Sequence, residues 1–296
     1  MKIENLKSKI VNRKWFWFFL SYTRNVSLTL EGWVSVLAAL EAGRRPILAV
    51  YFQRDKNLRG GDRVRAAAAK AGAEIKMATA EEIDVLAQGK SHGGVLALAG
   101  ERRFQSLDEL ITSLSLHKGK GPGDGVESPV SSFQSPFIVM LDGVEDPFNY
   151  GQAIRALYAA GAHGLVVPER NWDTALAVVT RASAGASEYM PTARVADAKE
   201  AIAFFKARGF RVAATAKDPK SKSVYAVDLH GPLFMLIGGE RRGLNAATLA
   251  LCDVLLTIPY GRDFKAELDV TSSTAALAFE VMRQRVWPEH RQRSKR

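Results

Sequence analysis

The sequence predicts an α/β protein: apolar strands alternate with helical stretches in two blocks separated by a segment too polar to form a core. Pro46-Ile-Leu-Ala-Val-Tyr-Phe52 and Phe137-Ile-Val-Met-Leu141 are continuously apolar, as strands covered on both faces are. Helical patterns follow them, and Gly43 and Gly72 mark helix ends. Between the blocks, His117-Lys-Gly-Lys-Gly-Pro-Gly-Asp-Gly125 and Glu127-Ser-Pro-Val-Ser-Ser132 have little to bury.

In chain order, residues 1–27 form an N-terminal extension with the aromatic run Trp15-Phe-Trp-Phe-Phe-Leu20. That run is too short to span a bilayer, and no small-residue cleavage site follows it, so it reads as a packing or interface segment. Residues 28–104 form a small α/β domain: a helix over Glu31–Leu40, a strand over Pro46–Phe52, a helix from Asp62 to Ala71 and a strand over Gly94–Ala99. Residues 105–135 read as a flexible linker. Its alternating glycines imitate a cofactor loop, but no strand precedes them, no helix follows and no Gly-Lys-Ser/Thr closes them. Residues 136–290 alternate again, with strands at 137–141, 164–167, 210–215, 233–237 and 254–258. Helices are expected at 149–160, 174–184, 197–207, 245–251 and 270–287, which argues for a parallel sheet covered on both faces. A basic tail, 291–296, ends the chain.

At 296 residues, 47% hydrophobic, the chain holds one or two ordinary cores. A net charge of +10 makes RNA a natural partner, with Arg283, Arg285, Arg291, Arg293, Lys295 and Arg296 as a terminal basic run. Cys252 is the only cysteine, which excludes an intrachain disulfide and fits a reducing, cytoplasmic setting. Five scattered histidines give no metal-ligand spacing, so no metal is expected.

Three segments point to chemistry. Leu141-Asp-Gly-Val-Glu-Asp-Pro-Phe-Asn-Tyr-Gly-Gln-Ala-Ile-Arg155 reads as a strand end, a turn and a helix capped by Asn149, with Arg155 almost two turns in. A cation there opposes the helix dipole and suits an anionic ligand better than the helix. Ile237-Gly-Gly-Glu-Arg-Arg-Gly-Leu244 ends a buried strand in glycines that let backbone approach a ligand. The third segment is Ile258-Pro-Tyr-Gly-Arg-Asp-Phe-Lys-Ala-Glu-Leu-Asp-Val-Thr271.

In order and spacing these segments resemble the motif set of the SpoU (TrmH-like) family of RNA ribose 2′-O-methyltransferases, within the SPOUT superfamily. Ala182-Ser-Ala-Gly-Ala-Ser-Glu188 and Phe279-Glu-Val-Met-Arg-Gln284 agree with it, as does Ser91-His-Gly-Gly-Val95, where Gly replaces the family's usual Gln. The resemblance implies a C-terminal trefoil-knotted domain, a preceding RNA-binding domain and a homodimer. It also implies S-adenosylmethionine as cofactor, held by the backbone of Gly238, Ile258 and Leu268, and rRNA or tRNA as substrate. Asn149, Arg155 and Glu240 match its catalytic motifs, and Arg241 and Arg242 join Arg155 as RNA-binding candidates. A guanidinium stays protonated, so Arg155 is expected to bind phosphate and stabilise the developing alkoxide while a phosphate or a neighbour accepts the proton.

The third motif departs from the family's Ser-Leu-Asn-Val-Ser: it reads Glu267-Leu-Asp-Val-Thr271, one residue further from Ile258. Asp269 is either a proton acceptor in a retuned pocket or the mark of weakened catalysis. A weakened or non-catalytic RNA-binding relative, and a methyltransferase acting on a base, stay open as alternatives.

Overall fold

A computed structural model describes residues 28–54, 56–89, 92–116, 135–169, 175–239 and 241–286. The N-terminal aromatic run, the glycine series at 119–125, Glu240 and the basic tail lie outside the described residues. The chain divides into two compact units, Met1–Arg103 with Trp172–Tyr189, and Phe104–Asn171 with Met190–Arg296.

The first unit holds strands β1 (Leu28–Glu31), β2 (Ile47–Gln53), β3 (Glu74–Ala78) and β4 (Val95–Ala99) in the order β1-β4-β2-β3. β4 runs antiparallel to β1 and β2, and β3 runs parallel to β2. On one face Val50 and Phe52 pack with Val36 and Leu40 of α1 (Trp33–Ala42) and Val64 and Ala68 of α2 (Gly61–Ala71). On the other, Ala49 and Tyr51 meet Ile83 and Leu86 of α3 (Ala80–Leu86). Covering on both faces explains why β2 reads as an unbroken apolar run. The helix expected over 174–184 is two short ones, α6 (Leu176–Ala182) and α7 (Ala186–Tyr189), numbered in chain order. Glu188 accepts from Arg45 Nε and Nη2 at 3.1 and 3.0 Å and from the Thr180 hydroxyl at 3.0 Å, so this charge pair is buried with partners on both sides.

The second unit is built on seven parallel strands. They are β5 (Phe137–Asp142), β6 (Gly164–Pro168), β7 (Thr192–Val195), β8 (Arg211–Thr215), β9 (Lys222–Ser223), β10 (Leu233–Gly238) and β11 (Val254–Thr257), in the order β7-β6-β5-β10-β8-β11-β9. Each described pairing is parallel. One face packs on α4 (Leu107–Leu116) and α8 (Ala198–Lys206), with Phe205 stacked on Phe234 at 4.3 Å between ring centroids. α5 (Pro147–Ala159) packs on α10 (Val270–Val286), which also touches β10, while α9 (Ala246–Ala250) precedes β11.

Two expectations change. Residues 107–116 were expected in the linker, yet Leu107 and Leu110 are buried in the core and Ser106 with Glu109 caps the helix reciprocally. Arg283 and Arg285 were expected in the basic run, but both lie on α10. Arg283 pairs with Glu280 at 2.7 Å, and Arg285 donates to the carbonyls of Ser135, Leu229 and Gly231.

Candidate active site

In a parallel sheet all strands end on the same side, so the loops that follow them form a common mouth. Here the loops after β5, β8, β10 and β11 do so. Those after β8, β10 and β11 enclose a cavity of about 720 Å³ lined by Thr215, Gly238, Ile258, Glu267 and Leu268, among others. Gly238, Ile258 and Leu268, expected to hold the cofactor, are thus brought together from three separate stretches of chain. Arg241 and Arg242 line the same cavity.

The glycines are required by close approach. A Cβ on Gly239 would fall 2.0 Å from the carbonyl oxygen of Gly143, and one on Gly238 would lie 2.8 Å from the backbone of Gly243. The Gly239 N–H donates to the Asp142 carbonyl at 2.8 Å, joining the second motif to the first. Arg241 reinforces that join through Glu145 at 3.2 Å, although both side chains are exposed and their pairing is correspondingly weak. Thr271 connects the third motif to the first, its hydroxyl donating to the Asn149 carbonyl at 3.5 Å.

Asn149 is not the cap of α5. Asp146 is, accepting from the amides of Phe148 and Asn149 at 2.7 and 2.9 Å, because Pro147 fits the first helical position, where no N–H is needed. Arg155 therefore lies beyond the first turn, and the helix dipole says little about it. Its significance rests on its surroundings: it is exposed and makes no hydrogen bond or ion pair among the described residues. Neither Asn149 nor Arg155 lines the cavity.

Asp269 has a local role that the sequence did not reveal. It caps α10, accepting from the Ser272 amide and hydroxyl, each at 2.8 Å. These bonds hold its carboxyl below the usual carboxylate range. Asparagine caps a helix about equally well, so Asp269 preserves the work that the family's Asn would do here. Glu267 faces Lys217 at 3.5 Å across exposed surface.

Several contributors were missed from sequence. Thr215 ends an apolar strand and accepts from the Gly238 N–H at 3.3 Å, so the polar residue closing Val212–Ala214 was its signal. Tyr260 accepts from the Leu268 N–H at 3.0 Å and ties the ends of the motif-three loop. Among the described residues no His/Cys/Asp/Glu group is arranged for a metal, and no helix is long and apolar enough to cross a membrane.

A pocket of backbone groups at the ends of parallel strands, with Arg242 on its wall unpaired among the described residues, fits a class: an enzyme with a nucleoside-type cofactor and an anionic substrate. Residues 136–279 match the SpoU rRNA Methylase family, and residues 29–105 match the RNA 2′-O ribose methyltransferase substrate-binding domain. The chain is 30% identical over 260 residues to the 23S rRNA (guanosine-2′-O-)-methyltransferase RlmB of Ralstonia nicotianae, covering 88% of this chain and 96% of that one. It is also 30% identical over 217 residues to the enzyme of the same name from Shewanella oneidensis, covering 72% and 80%. The fold matches the SpoU methyltransferase AviRb from Streptomyces viridochromogenes in complex with AdoMet, with a TM-score of 0.69, 23% identity and coverage of 96% and 97%. It also matches an AdoMet-bound rRNA methyltransferase from Sinorhizobium meliloti, with a TM-score of 0.67, 24% identity and 89% of each chain covered. The chain belongs to the SpoU family of RNA methyltransferases, which use S-adenosylmethionine.

Proposed function

We propose that this protein methylates the ribose 2′-hydroxyl of a guanosine in 23S rRNA, working in the cytoplasm as a homodimer with a knotted C-terminal unit. The observation that carries the reading is the convergence of Gly238, Ile258 and Leu268 on one cavity of about 720 Å³, beside Arg242, which has no partner among the described residues. That volume lies within the roughly 300–1000 Å³ typical of small-molecule sites. Its apolar wall (Ile237, Leu244, Leu256) and strand-end backbone suit an adenosine moiety, and Glu267 suits a cation. The return of the final helix onto α5 and β10 supports the knotted path.

When bound, S-adenosylmethionine supplies an electrophilic methyl group on a sulfonium. Gly238, Ile258 and Leu268 would hold it through backbone groups. Arg155 binds a phosphate next to the acceptor and stabilises negative charge growing on the 2′-oxygen, remaining protonated throughout. The hydroxyl proton passes to a phosphate oxygen of the substrate. Asn149 holds Thr271 through its carbonyl and so keeps the first and third motifs in register. The intact cap at Asp269 supports a working rather than a weakened third motif.

Incubation with labelled S-adenosylmethionine and undermodified 23S rRNA or tRNA, followed by nucleoside analysis, tests this reading. Label is expected in 2′-O-methylguanosine from 23S rRNA. Label on a base, or only in tRNA, would refute the assignment.

A further inference from the structure

The loop between β11 and α10 carries two large rings in the open. Tyr260 is 42% and Phe264 59% exposed, their centroids 6.2 Å apart with planes tilted by 50°. Both line the cavity that Gly238 and Leu268 share. Tyr260 is fixed there by the Leu268 N–H, so the loop closes on itself and leaves Phe264 on its outer turn. Among the described residues, the hydrophobic core cluster of the unit includes neither ring.

The charges around them divide cleanly. Lys265 pairs with Asp263, Lys217 with Glu267 and Arg241 with Glu145. Arg262, on the same loop, and Arg242, on the cavity wall, are exposed and make no hydrogen bond or ion pair among the described residues. Exposed aromatic faces beside unpaired guanidinium groups are the combination that holds single-stranded nucleic acid, the rings stacking on a base and the cations meeting its phosphates.

We propose that Phe264, supported by Tyr260, is a stacking platform for an RNA nucleobase at or next to the acceptor nucleotide, with Arg262 and Arg242 on the adjoining phosphates. This rests on the RNA methyltransferase reading above. It also gives the lengthened third motif a purpose that the cofactor does not require, since the loop between Ile258 and Leu268 that holds the added residue is the one that carries Phe264.

The test uses the full chain with Phe264→Ala and Phe264→Trp. Affinity for a short fluorescein-labelled single-stranded RNA is measured without cofactor, cofactor affinity by calorimetry and mass by sedimentation. Phe264→Ala should weaken RNA binding about tenfold, Phe264→Trp should restore it, and cofactor affinity and mass should not change. Weaker cofactor binding with RNA affinity intact would instead make the ring a cover for adenine. A fall in mass would make it a contact with a second copy, and no change at all would leave it idle; each overturns the proposal. Because RNA binding is read without transfer, a wild-type protein that binds RNA through Phe264 but methylates nothing would sink the proposed activity and leave the platform standing.

Discussion

At the N-terminal end of the seven-stranded sheet Arg285 directs its donors at three carbonyl oxygens, whereas at the opposite end Arg242 and Arg262 direct theirs at nothing in the described chain. Arg285 is half-buried, and burial pulls its pKa down to about 10. Beside it, His163 Nδ1 accepts the Phe137 N–H at 3.1 Å, and burial, aided by the Arg285 charge, lowers its pKa to about 4. One end of the sheet is thus closed by satisfied polar groups, and the other is left open with charges held in water. The same residue type serves stability where its bonds are complete, and the function proposed above where the described residues leave it unpaired.

The largest effect on folding should come from the motif junction. Gly239→Ala forces a Cβ to 2.0 Å from the Gly143 oxygen, and backbone cannot yield cheaply. Urea denaturation should show a loss of about 3 kcal/mol or more. Acid should attack the closed end next. Because the folded-state pKa of His163 lies below its ordinary value, the unfolded chain binds the extra proton. Its contribution is complete above pH 6.5 and is lost as pH falls from 6.5 towards about 4. The full loss is about 3 kcal/mol at 1.36 kcal/mol per unit, and His163→Asn should flatten urea midpoints over that window. Arg285→Met leaves partly buried carbonyls without donors and should cost about 2 kcal/mol, with transfer per folded molecule unchanged. The smallest effect belongs to Asp269→Asn: both residues cap α10, so stability should move by no more than about 0.5 kcal/mol and transfer by less than about twofold. A hundredfold change in transfer would return Asp269 to the chemistry.

The parallel sheet was legible because strands buried on both faces have no polar alternation to hide them, as Phe137–Leu141 illustrates. Edge elements were not. β1 was overlooked but for Glu31, which was placed in the following helix, and β3 was missed although Glu74-Ile-Lys-Met alternates, a short stretch whose apolar Ile75 and Met77 are exposed. α4 was hidden by the glycine-rich stretch after it. At the site, glycines at a strand end signalled a close backbone approach, and the structure supplies the contact at Gly143. Caps were misread: Asp146 and Asn149 are both good cap residues, and Pro147 decides between them only if its missing N–H is counted. The roles of Arg283 and Arg285 depend on carbonyls and a carboxylate that no local pattern announces.

The most direct test sets Arg155→Ala beside Arg285→Ala, measuring single-turnover methyl transfer and urea stability for each. The role proposed for Arg155 on the substrate phosphate predicts that Arg155→Ala loses at least about a hundredfold in transfer while cofactor affinity and stability hold. Arg285→Ala should lose stability and keep its transfer rate when folded. Full transfer by Arg155→Ala would contradict the contrast between an arginine kept for chemistry and one kept for stability.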